Sequence, residues 1–490
     1  MNNRRALLTT LAFLALLKSA FLATLGPVTL PDSSDYVLFA EAILAGGDWA
    51  RDLDLSAELI PLTAVRAVGY PALMALFKLG FGNAWEWGLI VFQMGVSLGA
   101  SAMLWRLAVA LSGRTWVAVT SVLAHGLGLA FVLDQCLLTD SLHASLIIGI
   151  AAHAGRALVI GRALTLREAL ALGGGLLLAF LLREAGAIMH LALWPLVLAW
   201  AWKTATGSGT ARVGRALLML AVFLIPLLTG IQAYKAWNQM RTGERFITTV
   251  AQTAMYHPVV DLARNGYPVF AEDPLLAEAP FTRVALNDNP GVVFSQINQY
   301  LKTVQGMNAL AVARHADKLF AEHWQRYPMA RGGIYLSRLD PRYAYLPVMP
   351  LAGPERLSLW AGGTTPFPGP GKIWDNLVDH GRIDQVALLA VRTLARLGSA
   401  LLTALFLAGV PVVVLKGVKA AGGRPDELSG RDLAMGALWL FVAAYPAAYA
   451  LVYLEDRYLA PVVPFVTIGG LALVARLIGE RQATRGRSVG

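Results

Sequence analysis

The chain has 490 residues, 56% of them hydrophobic and 15% charged, with a mean hydropathy of +0.56. A soluble fold cannot hide that much apolar surface, which makes this a polytopic all-α membrane protein; continuous rather than alternating apolar runs exclude a closed barrel. The formal charge of +10 is scattered over short loops, a topology signal rather than a nucleic-acid surface, and the single Cys136 excludes an intramolecular disulfide, a Cys zinc cluster and a cysteine redox pair.

About ten apolar stretches are long enough, or nearly so, to cross a bilayer. The first, 6–26, follows Arg4 and Arg5. Its run is long for a signal-peptide core and lacks a small-x-small cleavage site, so a retained first helix is expected. A long loop, 27–85, comes next. Within it, 36–45 and 69–77 are too short to span and read as interfacial helices. Spans are then expected at 86–110, 116–133, 137–155, 166–182, 185–202 and 213–234. The segment 235–390 is polar enough for a separate subdomain, with helical patterns at 292–304 and 308–325 and a Pro/Gly-rich stretch at 363–371 that reads as an irregular loop. The last spans are expected at 397–415, 433–453 and 458–475. The organisation is therefore a transmembrane module 1–234, an extracytoplasmic segment 235–390, a three-span module 391–478 and a basic tail 479–490.

Lys and Arg set the sidedness. Every second loop is basic: Arg114; Arg156, Arg162 and Arg167; Lys203, Arg212 and Arg215; Lys416, Lys419, Arg424 and Arg431; and the tail from Arg476 to Arg487. An even number of spans places both termini in the cytoplasm of a bacterial-type plasma membrane. The remaining loops then face outward and hold the unusual polar residues. These are Asp32, Asp35 and Arg66 in the first loop, Asp134, Asp140 and His143 about the next, Arg183 and Glu184, and finally Glu455, Asp456, Arg457 and Tyr458. Each alone is an ordinary interfacial charge or a helix-pairing ion pair. Together, four outer turns offer acids and bases beside helices able to roof a cavity.

That combination suits a substrate that is part lipid and part anion. Arginine presents a planar fork to phosphate. Carboxylates serve as general bases or hold a divalent metal such as Mg, Mn or Zn, with Asp32 and Asp140 as the candidate ligands. The chemistry requiring these parts is attack by an acceptor hydroxyl on a sugar carried by a lipid phosphate.

Pro31-Asp32-Ser33 with Tyr36, then Arg66-x-x-Gly69-Tyr70-Pro71, resembles the opening of the C-type polyprenyl-phosphate-sugar glycosyltransferases, which include protein O-mannosyltransferase-like and aminoarabinose–lipid A transferase-like enzymes. Leu138-Thr139-Asp140-Ser141 resembles their second outer loop, Arg183 an arginine after their fifth span, and Arg457-Tyr458-Leu459-x-Pro461-x-x-Pro464 a late Arg-Tyr-Leu signature. The similarity covers roughly 1–240 and 430–475. It implies an inverting sugar transfer from a polyprenyl-phosphate donor to a glycan, lipid or protein hydroxyl, as in cell-envelope glycan biosynthesis. It makes Asp32 and Asp140, with Asp35 as a possible substitute partner, the catalytic acids. Arg183 and Arg457 become lipid-phosphate contacts, and Tyr36, Arg66, Tyr70, His143, Glu184 and Tyr458 complete the expected substrate-binding set. In one respect the chain departs from the pattern: Ser33 follows Asp32 where many relatives have Glu. The main rival is a transporter or flippase of lipid-linked sugars, which would place charges near mid-membrane and show internal repeats; the sequence has no visible repeat.

Overall fold

The computed structural model describes residues 3–46, 62–280, 290–339, 370–381, 383–421, 428–454 and 456–487. Among them the chain is helical throughout, and the one β pairing is an isolated parallel bridge between Val28 and Cys136. Among the described residues five segments are long and apolar enough to cross a membrane: Asn3–Thr24, Gly69–Ser112, Asp140–Val159, Gly209–Thr242 and Gly430–Ala450; Ala400–Pro411 and Val463–Gly479 are shorter apolar stretches. This is the pattern of a multi-pass membrane protein.

The first half comprises α1 (Asn3–Leu25), α2 (Pro31–Leu44), α3 (Leu62–Val65), α4 (Gly69–Phe81), α5 (Trp85–Ser112), α6 (Thr115–Gly126), α7 (Leu129–Leu133), α8 (Asp140–Val159), α9 (Leu166–Leu182), α10 (Gly186–Thr204) and α11 (Gly209–Thr242). α2 and α4 are the two short helices expected from the first outer loop, and they pack on each other. α5 lies against α6 and α8, and α9 against α11. The continuous span expected at 116–133 is instead broken at Gly126-Leu127-Gly128 into α6 and α7. Gly126 is pressed against α1, where an added Cβ would sit 2.5 Å from a Leu14 methyl. Two glycines within three residues weaken the helix there. α11 carries on past residue 234, because the polar run Lys235–Thr242 keeps helical propensity after the apolar stretch ends.

α12 (Thr249–Thr253), α13 (Tyr256–Arg264), α14 (Pro290–Thr303), α15 (Ala309–Arg326) and α16 (Pro328–Arg338) form a subdomain with its own core of Tyr256, Val260, Phe270, Ile297, Leu301 and Leu319. α14 and α15 match the helical patterns read from the sequence. The Pro/Gly-rich stretch at 363–371 lies, up to residue 369, outside the described residues. α17 (Pro370–His380), α18 (Ile383–Ala421), α19 (Gly430–Ala450) and α20 (Val463–Arg487) complete the chain. α20 begins at Val463 rather than 458: Pro461 cannot continue a hydrogen-bonded turn, while Pro464 is tolerated in the first. The bundle core joins α1, α5, α8–α11, α19 and α20 around Leu104, Trp200, Phe223, Phe441 and Phe465, all essentially inaccessible. The subdomain is fastened to it by Arg338, which ion-pairs with Asp261 and donates to the carbonyls of Ala450 (2.9 Å) and Val452 (2.6 Å) at the end of α19.

Candidate active site

Asp32 owes its position to local chemistry at the start of α2. Pro31 opens the helix, the buried Ser33 hydroxyl accepts from the Leu30 amide at 2.9 Å, and the Ser33 amide donates to the Leu30 carbonyl at 2.8 Å. Ser33 thus turns inward and satisfies helix-end groups, as the third residue of a capping box does. This accounts for the departure from Asp-Glu: position 33 faces the protein, and Asp35, three residues after Asp32, shares its helix face.

The loop bearing Asp140 is tied to this one. The Val28 amide donates to Gln135 and the Leu137 amide to Val28, each at 2.9 Å. Gln93 holds the Cys136 carbonyl at 3.0 Å and is itself held by the Tyr70 hydroxyl at 2.7 Å. Beneath, Lys18 of α1 ion-pairs with Asp134, both inaccessible, and Ser141 donates to the other Asp134 oxygen at 2.5 Å. Asp140 is the next residue along.

Three arginines converge on the acids. Arg66 donates to Asp32 Oδ1 (3.1 Å) and twice to Asp35 Oδ2 (3.0 and 3.2 Å). Its approach is fixed by Arg241, which grips the Thr63 carbonyl at 2.8 Å, and by Gly69, where a Cβ would lie 2.5 Å from the Leu181 carbonyl of α9. Arg457, in the 3₁₀ turn Asp456–Leu459, donates to Asp32 Oδ2 at 3.1 Å. Arg183, at the end of α9, pairs with Asp140 Oδ1 at 2.5 Å. The tight α9–α10 turn there depends on Gly186, since a Cβ would meet the Phe180 backbone at 2.5 Å. Tyr458 lies under both guanidiniums, 4.4 Å from Arg183 and 5.4 Å from Arg457, and stacks on Tyr449 at 4.8 Å. Tyr36 lies 5.3 Å from Arg66.

The electrostatics follow from this arrangement. Burial pushes the Asp32 carboxyl up and the Asp140 charge adds to that, but Arg66 and Arg457 outweigh both and hold it below the usual carboxylate range. Burial drives the Tyr36 hydroxyl up to about 12, so it stays neutral. Asp32 is 34% exposed, Asp35 32% and Asp140 5%; Asp140 is too enclosed to meet a substrate hydroxyl, and of the two open acids Asp32 is the one bonded to both Arg66 and Arg457.

The expected residues divide into two groups. Asp32, Asp35, Tyr36, Arg66, Asp140, Arg183, Arg457 and Tyr458 come together, and the charge of Glu184, on the α9–α10 turn, acts on Tyr36 and Arg66. Tyr70 and His143 do not reach the open side: Tyr70 is sealed and holds Gln93, while His143 has Nδ1 at 3.1 Å from the Ala179 carbonyl and Nε2 at 3.5 Å from the Tyr445 hydroxyl. Their role is support. Lys18, Gln93, Arg241 and Tyr449 are not among the residues expected from the sequence, and Ser141 enters there only as part of its motif. Lys18 had a readable signal, a charge inside the first apolar run, which is costly unless paired.

The donor set does not fit a divalent cation. Both Asp32 oxygens and one of Asp140 already accept from guanidiniums, and among the described residues no group of three or more His, Cys, Asp or Glu is arranged to hold a metal. Magnesium asks for about six oxygen ligands, and three adjacent guanidiniums oppose any cation. What the arrangement can accept is an anion, which would exchange with a carboxylate at a guanidinium. No family model, curated protein or solved structure matches the chain.

Proposed function

We propose that the protein is a membrane glycosyltransferase, moving a sugar from a polyprenyl-phosphate donor to an acceptor hydroxyl at the face where these acids and arginines meet. The observation that carries this reading is Asp32, a partly open carboxylate held between Arg66 and Arg457 with Arg183 close by; Asp35 is about as open but pairs with Arg66. A base and an anion-binding array lie side by side, as sugar transfer from a lipid phosphate requires.

In this reading the donor phosphate takes up Arg457 and Arg183, whose forks match its oxygens. The acceptor oxygen attacks the anomeric carbon from the face opposite the phosphate and gives its proton to Asp32. The bond from the anomeric carbon to the phosphate oxygen breaks, and the phosphate leaves with the electron pair, its charge met by the same guanidiniums. The configuration at the anomeric carbon inverts. Donor binding also prepares the base: once Arg457 turns from Asp32 to phosphate, one of the two charges that depress the Asp32 carboxyl is withdrawn and its basicity rises. Tyr458, under both arginines, keeps them in register. No step is routed through a metal.

One observation favours a second reading. A sealed ion pair between helices, Lys18–Asp134, is the kind of feature found along transport paths, and a flippase of lipid-linked sugars would use one. Proteoliposomes loaded with a polyprenyl-phosphate sugar and an acceptor separate the two readings. A transferase releases polyprenyl phosphate and forms a glycosidic product; a flippase moves the donor intact and forms neither.

A further inference from the structure

A cavity of about 480 Å³ lies at the other end of the bundle from the acid–arginine cluster. Ser112 lines it, the last residue of the 28-residue α5 that starts beside α4. Arg431 lines it too, at the start of the 21-residue α19 whose far end leads to Arg457. At 1.5 Å per residue these helices put it about 30 Å from Asp32. Its character changes along its length. Phe406, Met435 and Trp439 make one part apolar, while Arg431, at the start of α19, and Arg476, midway along α20, line it together with Asp432, so that the two guanidiniums leave a net positive charge there.

Three further facts concern a ligand. Trp439 is 9% exposed, and its indole N–H is sealed from solvent with no acceptor, although a buried indole N–H normally finds one. Gly409 is required where α18 crosses Trp439, since a Cβ there would sit 2.7 Å from the ring; the indole is thus held in place as a wall. On the sidedness given by the basic loops, this end faces the cytoplasm, where the leaflet carries anionic lipid and attracts clustered arginines.

We propose that this cavity binds an anionic phospholipid of the cytoplasmic leaflet, its phosphate between Arg431 and Arg476 and the start of an acyl chain along Phe406, Met435 and Trp439. The site is separate from the sugar-transfer reading and stands or falls independently of it. Free phosphate shares the headgroup chemistry but leaves the apolar part unfilled.

The test is native mass spectrometry of the purified full chain in detergent, titrated with phosphatidylglycerol, with phosphatidylcholine and with inorganic phosphate. Phosphatidylglycerol should be retained preferentially. Arg431→Ala/Arg476→Ala should weaken it about 25-fold, taking ~five-fold per arginine near an anionic headgroup, and Arg431→Lys/Arg476→Lys should keep most of the binding. Leu473→Trp, which fills the cavity from a half-buried position of its lining and leaves the charges alone, should abolish retention while the melting temperature stays near that of the parent. Equal retention of both lipids, undiminished binding in Leu473→Trp, or displacement of phosphatidylglycerol by millimolar phosphate would overturn the proposal.

Discussion

Replacing Lys18 by Met removes one partner of an ion pair that water does not reach: the two side chains are 0% and 1% exposed. The Asp134 carboxylate is then left with the Ser141 hydroxyl alone to stabilise its charge. Breaking such a pair from one side costs about 3–5 kcal/mol, most of it the desolvation of the surviving charge. Asp134→Asn should cost a similar amount, because it strands the ammonium. The double variant Lys18→Met/Asp134→Asn buries no charge, and its amide still accepts from Ser141. It should recover most of the loss, a coupling of at least about 2 kcal/mol. The assay is reversible unfolding in mixed micelles, followed for the four proteins of the cycle. Both singles should also disturb the site, since residues 134–141 connect the pair to Asp140. Additive losses in the cycle, or a Lys18→Met protein as stable as the parent, would refute the view that this pair anchors the Asp140 loop.

Arg457→Lys should stay folded but bind polyprenyl phosphate more weakly by about 1–3 kcal/mol, because an ammonium does not reproduce the fork; unchanged binding of the lipid phosphate would make Arg457 a helix-tying residue. The Asp32 carboxyl, depressed by Arg66 and Arg457 against the opposing effect of burial, contributes stability above the unfolded-state value near 4 and loses it as pH falls through the lower folded value. The stability difference between the parent and Asp32→Asn should therefore be constant from pH 5 to 8 and shrink below about pH 4, and a difference still changing between pH 5 and 8 would contradict the assignment. In a Cys136→Ser background, a membrane-impermeant thiol reagent applied from outside should label Thr303→Cys and not Thr206→Cys, both exposed positions; the reverse pattern would invert the topology and move the cluster to the other membrane face.

The short helices were readable because punctuation and period agree. Gly69 marks the start of α4, and α14 and α15 carry their apolar residues at helical spacing, whereas α2 begins at Pro31, five residues ahead of the expected 36–45. The acids and arginines were readable by residue type and side of the membrane. Their pairing was not. Arg457 has Glu455, Asp456 and Glu184 as obvious partners in the sequence, yet it donates to Asp32, 425 residues away, because the last turn folds back over the first loop. The break in the third apolar stretch was hidden for a related reason. Hydropathy averages over Gly126-Leu127-Gly128, while the fold needs the break so that α7 and residues 134–139 can bring Asp140 to Arg183. The supporting roles of Tyr70 and His143 depend on Gln93 and Tyr445, which only three-dimensional packing brings near.

Reconstituted protein should be given a panel of synthetic polyprenyl-phosphate sugars with an acceptor, and released polyprenyl phosphate and glycosidic product measured for the parent and for Asp32→Asn. The parent is expected to form an inverted product. Asp32→Asn, folded to the same degree, is expected to lose about 10²–10⁴ of that rate, the usual loss for a general base. Donor that crosses the bilayer uncleaved, or undiminished product formation by Asp32→Asn, would contradict a transferase built on this carboxylate and its arginines.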